Sequence, residues 1–173
     1  MACCGSTYAE PPRIVTAPEY AIKAVFLYNL IKYADWPPQS PQSDPGKPLV
    51  IAVIGEDPFG SALDDVVRDR TVRGRQVVVL RTSDLKAILA AHLAFVSASE
   101  SGRAREIVGV LSSRSILTVG DTESTARAGA AVNLVMLQGK VRFDVNQSAA
   151  RRCNVTLSSQ LLKLARQILE PGS

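Results

Sequence analysis

Residues 49–60 read Leu-Val-Ile-Ala-Val-Ile-Gly-Glu-Asp-Pro-Phe-Gly. The apolar run from Leu49 to Ile54 is unbroken and stops at Gly55. A run this short, with no polar alternation, reads as a strand covered on both faces. Such a strand belongs to a parallel sheet with helices on either side.

Working outward, the same pattern repeats. Pro58-Phe59-Gly60 turns the chain, and residues 61–68 place Leu63, Val66 and Val67 at helical spacing. Residues 77–80 form a second strand, and Ser83 or Asp84 caps a short helix running through Ala91. Residues 93–96 form a third strand, 97–102 a loop, 105–111 a helix and 116–119 a fourth strand. This alternation predicts βαβ units with parallel pairing. Upstream, Pro18 suits a helix first turn, and apolar spacing carries that helix from Glu19 to about Ala34. Trp36-Pro37-Pro38 stops it, and a polar loop follows to Pro48. Downstream the pattern changes. Residues 131–137 and 140–145 flank Gln138-Gly139, and Val141, Phe143 and Val145 alternate with Lys140, Arg142 and Asp144. This predicts an antiparallel hairpin. A short helix at 148–152 and a last helix at 160–169, capped by Ser158 or Ser159, complete the chain. The expected fold is one α/β domain over 18–170, with a mixed sheet, βαβ units, a C-terminal hairpin and flanking helices. A flexible tail is expected over 1–17.

Composition agrees with a globular domain: 173 residues, 46% hydrophobic and 21% charged. The net charge is +4, and from Lys140 onward six basic residues face two acidic ones, so the excess sits at the end of the chain. A basic surface meets nucleic acid, anionic membrane or an acidic protein. These residues are scattered among apolar ones rather than clustered, which argues for a solvated face and against nucleic acid. No apolar run is long enough to span a membrane. No export signal is legible at the start, which reads as a mature terminus after a start codon.

The chemistry-bearing residues are few. His92 is the one histidine. Gly55 to Gly60 sits where dinucleotide loops sit, but lacks their glycine spacing and carries two acids. Asp57, Asp64 and Asp65 do not share a helix face, so no metal cage is expected. Cys3, Cys4 and Cys153 show no C-x-x-C spacing. A Cys153–His92 pair would be needed for a thiol enzyme. No catalytic set, metal or cofactor is expected, and binding is the expected activity. Trp36, Val155 and Leu157 stand out as apolar residues beside prolines or in a linker. They mark either a contact patch or a lid on the core.

Several ordered segments resemble the YfiR family: Lys23-Ala24-Val25-Phe26-Leu27-Tyr28-Asn29 with Lys32-Tyr33 and Trp36-Pro37; residues 55–60; Ala94-Phe95-Val96-Ser97; residues 139–146; and residues 157–165. The resemblance implies a periplasmic, dimeric, non-enzymatic repressor that binds the periplasmic sensor domain of a YfiN-like membrane diguanylate cyclase. It implies lower cyclic di-GMP and less biofilm while repression holds. It also implies sequestration by a YfiB-like outer-membrane lipoprotein, response to redox state through disulfides, and small ligands. Ala91 stands where members often carry cysteine, and Cys153 where many carry glycine. The expected partner-binding residues are Val155, Leu157, Leu161 and Arg166, with Cys153 as a redox candidate. An alternative reading is a periplasmic small-molecule binding protein. Its ligand would sit at the carboxyl ends of the strands, between residues 55–60 and 97–101.

Overall fold

The computed structural model describes residues 17–170. Helix α1 (Ala17–Lys32) leads into a two-residue strand, β1 (Ala34–Asp35). Then come β2 (Leu49–Ile54), α2 (Ser61–Val67), β3 (Thr71–Val72), β4 (Arg75–Thr82), β5 (Leu93–Val96), α3 (Ala104–Ser112), β6 (Leu117–Gly120) and α4 (Glu123–Arg127). The chain ends with β7 (Val132–Leu137), β8 (Lys140–Asn146), α5 (Gln147–Arg152), β9 (Thr156–Leu157), α6 (Ser159–Leu162) and β10 (Gln167–Leu169).

The eight-stranded sheet has the order β10-β8-β7-β6-β5-β2-β4-β3, and β1 pairs with β9 in a separate two-stranded ladder. β4, β2, β5 and β6 run parallel, as the alternation predicts, and β7 continues the parallel run beside β6. β7 and β8 form the antiparallel hairpin, and its turn residues Gln138 and Gly139 both take positive φ, at 50° and 73°. That backbone matches the right-handed twist of the two strands. The β2 run explains the layering. Ile51 and Val53 face a core built with α1 and α2; Ala52 and Ile54 face a second core built with α3. All four are fully buried. The mixed α/β architecture expected from the sequence is the one observed.

Several elements differ from expectation, the two-residue strands β1, β3 and β9 among them. The predicted final helix, 160–169, is only a turn of helix (α6) followed by the strand β10. The edge of β8 offers unpaired backbone groups, and Arg166 N–H donates to Phe143 O at 2.8 Å before β10 pairs with β8. A proline at position 171 of the sequence also disfavours helical geometry at the residue before it. The predicted helix ending at Ala91 is a 3-10 turn, Ala87–Ala90. α4, with its Thr122 cap accepting from Thr125 N–H at 3.2 Å, has no apolar periodicity and escaped prediction. The expected tail and Cys3 and Cys4 lie outside the described residues, except Ala17, where α1 begins.

Candidate functional site

The segment after the hairpin was expected to carry the site, and its geometry follows from local capping. The Asn146 side chain accepts from Ala149 N–H at 3.0 Å and starts α5. Asn154, at φ 54°, reverses the chain in the left-handed region that asparagine tolerates. β9 then runs back along β1, pairing Ala34 with Leu157 and Asp35 with Thr156. Ser158 N–H donates to Tyr33 O at 3.0 Å, and its hydroxyl caps α6. This pins the end of α1 to the C-terminal segment.

Of the four residues expected to contact a partner, three point inward. Val155, Leu157 and Leu161 are 3%, 8% and 4% exposed and belong to the main core, as the lid reading required. Arg166 is exposed and grips Asp144, its Nε donating at 2.8 Å. The surface beside them is nonetheless shaped. A cleft of about 630 Å³ lies between Trp36-Pro37-Pro38 and residues 151 and 154–156. A second, of about 250 Å³, lies among Ala150, Leu157 and Leu162, and Arg151 and Val155 border both. The Trp36 indole is fixed, its Nε1–H donating to Ser115 O at 2.9 Å. Next to these clefts, α5 lies against β10. Leu164, Ile168 and Leu169 are exposed there, and among the described residues β10 is paired on one side only. Arg151, Arg152 and Lys163 are also exposed. An open strand edge with apolar side chains and basic neighbours suits an added strand or an acidic protein surface.

The residues weighed for chemistry are occupied structurally. Cys153 is fully buried, and burial pushes its thiol up to about 11, only partly offset by Arg152, Ser112 and the Thr118 backbone. A protonated thiol is a poor nucleophile. His92 Nδ1 accepts from Val50 N–H at 3.0 Å, and Nε2 lies 2.8 Å from Gln42 O, so neither ring nitrogen serves Cys153. Asp57 and Asp64 both pair with Arg81 at 2.6 Å, and Asp65 pairs with Arg68. The crevice at the carboxyl ends of β2 and β5 is filled by side chains. At Gly55 (φ 91°) an added Cβ would lie 2.4 Å from Ser99 Oγ and 2.7 Å from Glu100 Cγ. Ser99 Oγ accepts from Glu56 N–H at 2.9 Å, which closes the crevice further.

One cluster was missed in the sequence. Lys23 is 3% exposed, and its Nζ meets Glu19 at 2.5 Å and Asp121 at 2.7 Å. The Tyr20 hydroxyl donates to the same Asp121 oxygen at 2.9 Å, and burial, with Asp121 beside it, holds that hydroxyl well above its ordinary range. The available signal was a lysine set three residues after Tyr20 and four before Leu27, inside the apolar stripe of α1.

The YfiR/HmsC-like family model matches residues 20–166. No curated protein matches the sequence. Two solved structures share the fold: a conserved domain protein from Vibrio cholerae O1 biovar El Tor (TM-score 0.57, 12% identity) and an ABC domain in complex with L-Trp from Streptococcus pneumonia (TM-score 0.55, 13% identity). Each alignment covers 86% of this chain and 60% of the other, so the chain spans under two thirds of either structure.

Proposed function

The chain belongs to the YfiR/HmsC-like family, and on that membership we propose that it is a periplasmic regulator which represses an inner-membrane diguanylate cyclase by binding the cyclase's periplasmic sensor domain. The observation that carries this reading is the family match over residues 20–166, nearly the whole described chain. The family is regulatory rather than catalytic, and the occupied states of His92 and Cys153 accord with that. No helix among the described residues is long and apolar enough to cross a membrane. In this reading the repressor meets a membrane partner from the aqueous side.

The contact surface is the open edge of β10 with Leu164 and Ile168, together with the β9 clefts bordered by Trp36, Arg151 and Val155. Leu157 and Leu161 support that surface from beneath, and Arg166 holds β10 to β8 through Asp144. Homodimerisation and capture by a YfiB-like lipoprotein belong to the same reading, since one exposed edge serves competing partners. Redox control through Cys153 has little support, because the buried thiol has no access to an oxidant in the folded state.

The test is cellular. The chain is exported into a bacterial periplasm together with a cognate membrane diguanylate cyclase, and cyclic di-GMP is measured. Repression predicts a several-fold fall on co-expression, reversed by Leu164→Asp with Ile168→Asp. An unchanged level with both proteins present in the envelope contradicts the reading.

A further inference from the structure

The end of β6 delivers Asp121 into the angle between α1 and α4. Its side chain is 4% exposed. Oδ2 takes both the Tyr20 hydroxyl and the Lys23 ammonium, while Oδ1 is buried with no hydrogen-bond partner among the described residues. Buried carboxylate oxygens without a donor are rare, because the lost hydration is not replaced. Asp121 borders a cavity of about 350 Å³ that follows β7 towards β8. That volume falls at the lower end of small-molecule sites.

Charge decides what the cavity accepts. Its walls carry Glu19, Asp121, Glu123 and Asp144 against Lys23 and Arg166. Both cations are already committed, Lys23 to Glu19 and Asp121, and Arg166 to Asp144, while Glu123 is paired with Arg127 outside the cavity lining, so one carboxylate charge is left in excess. The remaining field is negative, which disfavours an anionic ligand. No group of three or more His, Cys, Asp or Glu among the described residues is placed to hold a metal ion. A positively charged nitrogen that also donates N–H meets both demands: it offsets the one excess carboxylate charge and donates to the orphaned oxygen. We propose that the cavity between α1, α4 and β7 binds a small organic cation through a primary ammonium group directed at Asp121. The site is separate from the β9 clefts, and its occupancy requires no partner protein.

Because α1 contributes Glu19, Tyr20 and Lys23, the ligand would also tie α1 to β6 and α4. The helix that a ligand steadies here is the same one whose far end is pinned by β9.

The experiment is titration calorimetry of the purified chain with putrescine and with ethanolamine, using succinate as the anionic comparison. Ala126→Trp plugs the mouth from an exposed position that is itself a member of no ion pair; Asp121→Asn removes the proposed acceptor charge. Saturable binding of either amine, weakened at least tenfold by Ala126→Trp and absent for succinate, is the expected result. Circular dichroism checks the fold of both variants. If Asp121→Asn fails to fold, Ala126→Trp still decides the matter. Absence of saturable binding of both amines overturns the proposal, as does amine binding that Ala126→Trp leaves unchanged. Succinate binding at similar strength would overturn it too.

Discussion

Lowering the pH from 7 to 5 is expected to weaken this fold through one side chain. His92 is 2% exposed and sits edge-on to Trp36 at 5.2 Å. Val50 N–H donates to Nδ1, so the ring proton resides on Nε2 and goes to Gln42 O at 2.8 Å. Arg75 Nη2 lies 3.0 Å from the same Nε2. A second proton would take away the acceptor for Val50 N–H and set a cation against the Arg75 guanidinium. Burial is the larger cause, and the Gln42 carbonyl offsets it only in part: the imidazole falls from 6.5 to about 4. The unfolded chain takes up this proton near 6.5 and the folded chain near 4. Between those values the unfolded state holds more protons, so stability is complete above 6.5 and is lost as pH falls towards 4. The full window corresponds to about 3 kcal/mol, and the step from pH 7 to pH 5 to about 2 kcal/mol. Urea unfolding at the two pH values measures the difference, and His92→Gln should flatten it. The chain has one histidine, so its imidazole resonance in NMR is unambiguous. A titration midpoint near 6.5, or equal stability at pH 7 and pH 5, would refute this account.

Three further outcomes follow from burial and backbone geometry. Cys153, with its thiol raised to about 11, is expected to resist iodoacetamide at pH 7.5 in the folded chain and to react only after denaturant is added; mass spectrometry reads both states. Val155→Asp with Leu157→Asp places two carboxylates in the core and costs more than about 5 kcal/mol, enough to unfold a typical domain, whereas Leu164→Asp stays within about 0.5 kcal/mol; circular dichroism and thermal melts separate them. Gly55→Ala puts a Cβ at positive φ against Ser99 and Glu100 and is expected to cost about 1–3 kcal/mol by chemical denaturation.

What was legible in the sequence had a local cause. β2, β5 and β6 are short apolar runs that only a sheet covered on both faces can use. The β7–β8 hairpin announces itself through alternation around Gln138-Gly139. The two-residue strands β1, β3 and β9 have no such signature, because a distant partner creates them. β10 shows the limit most clearly. Its neighbourhood, rich in leucine, reads as helix, yet the open edge of β8 and the Arg166–Asp144 grip draw it into the sheet. The same distinction holds for the site. Val155 and Leu157 are apolar residues in what reads as a linker, but the β1–β9 ladder turns them inward and leaves Leu164, Ile168 and Leu169 as the exposed apolar residues nearby. Lys23 and Asp121 are 98 residues apart, and nothing local to either announces the pair.

The most direct test of the regulatory reading is a calorimetric titration of this chain with the purified periplasmic domain of a cognate membrane diguanylate cyclase. The account predicts saturable binding in the micromolar range or tighter, abolished by Leu164→Asp with Ile168→Asp while both variant and parent melt alike. No measurable binding at tens of micromolar, with both proteins folded, would contradict it.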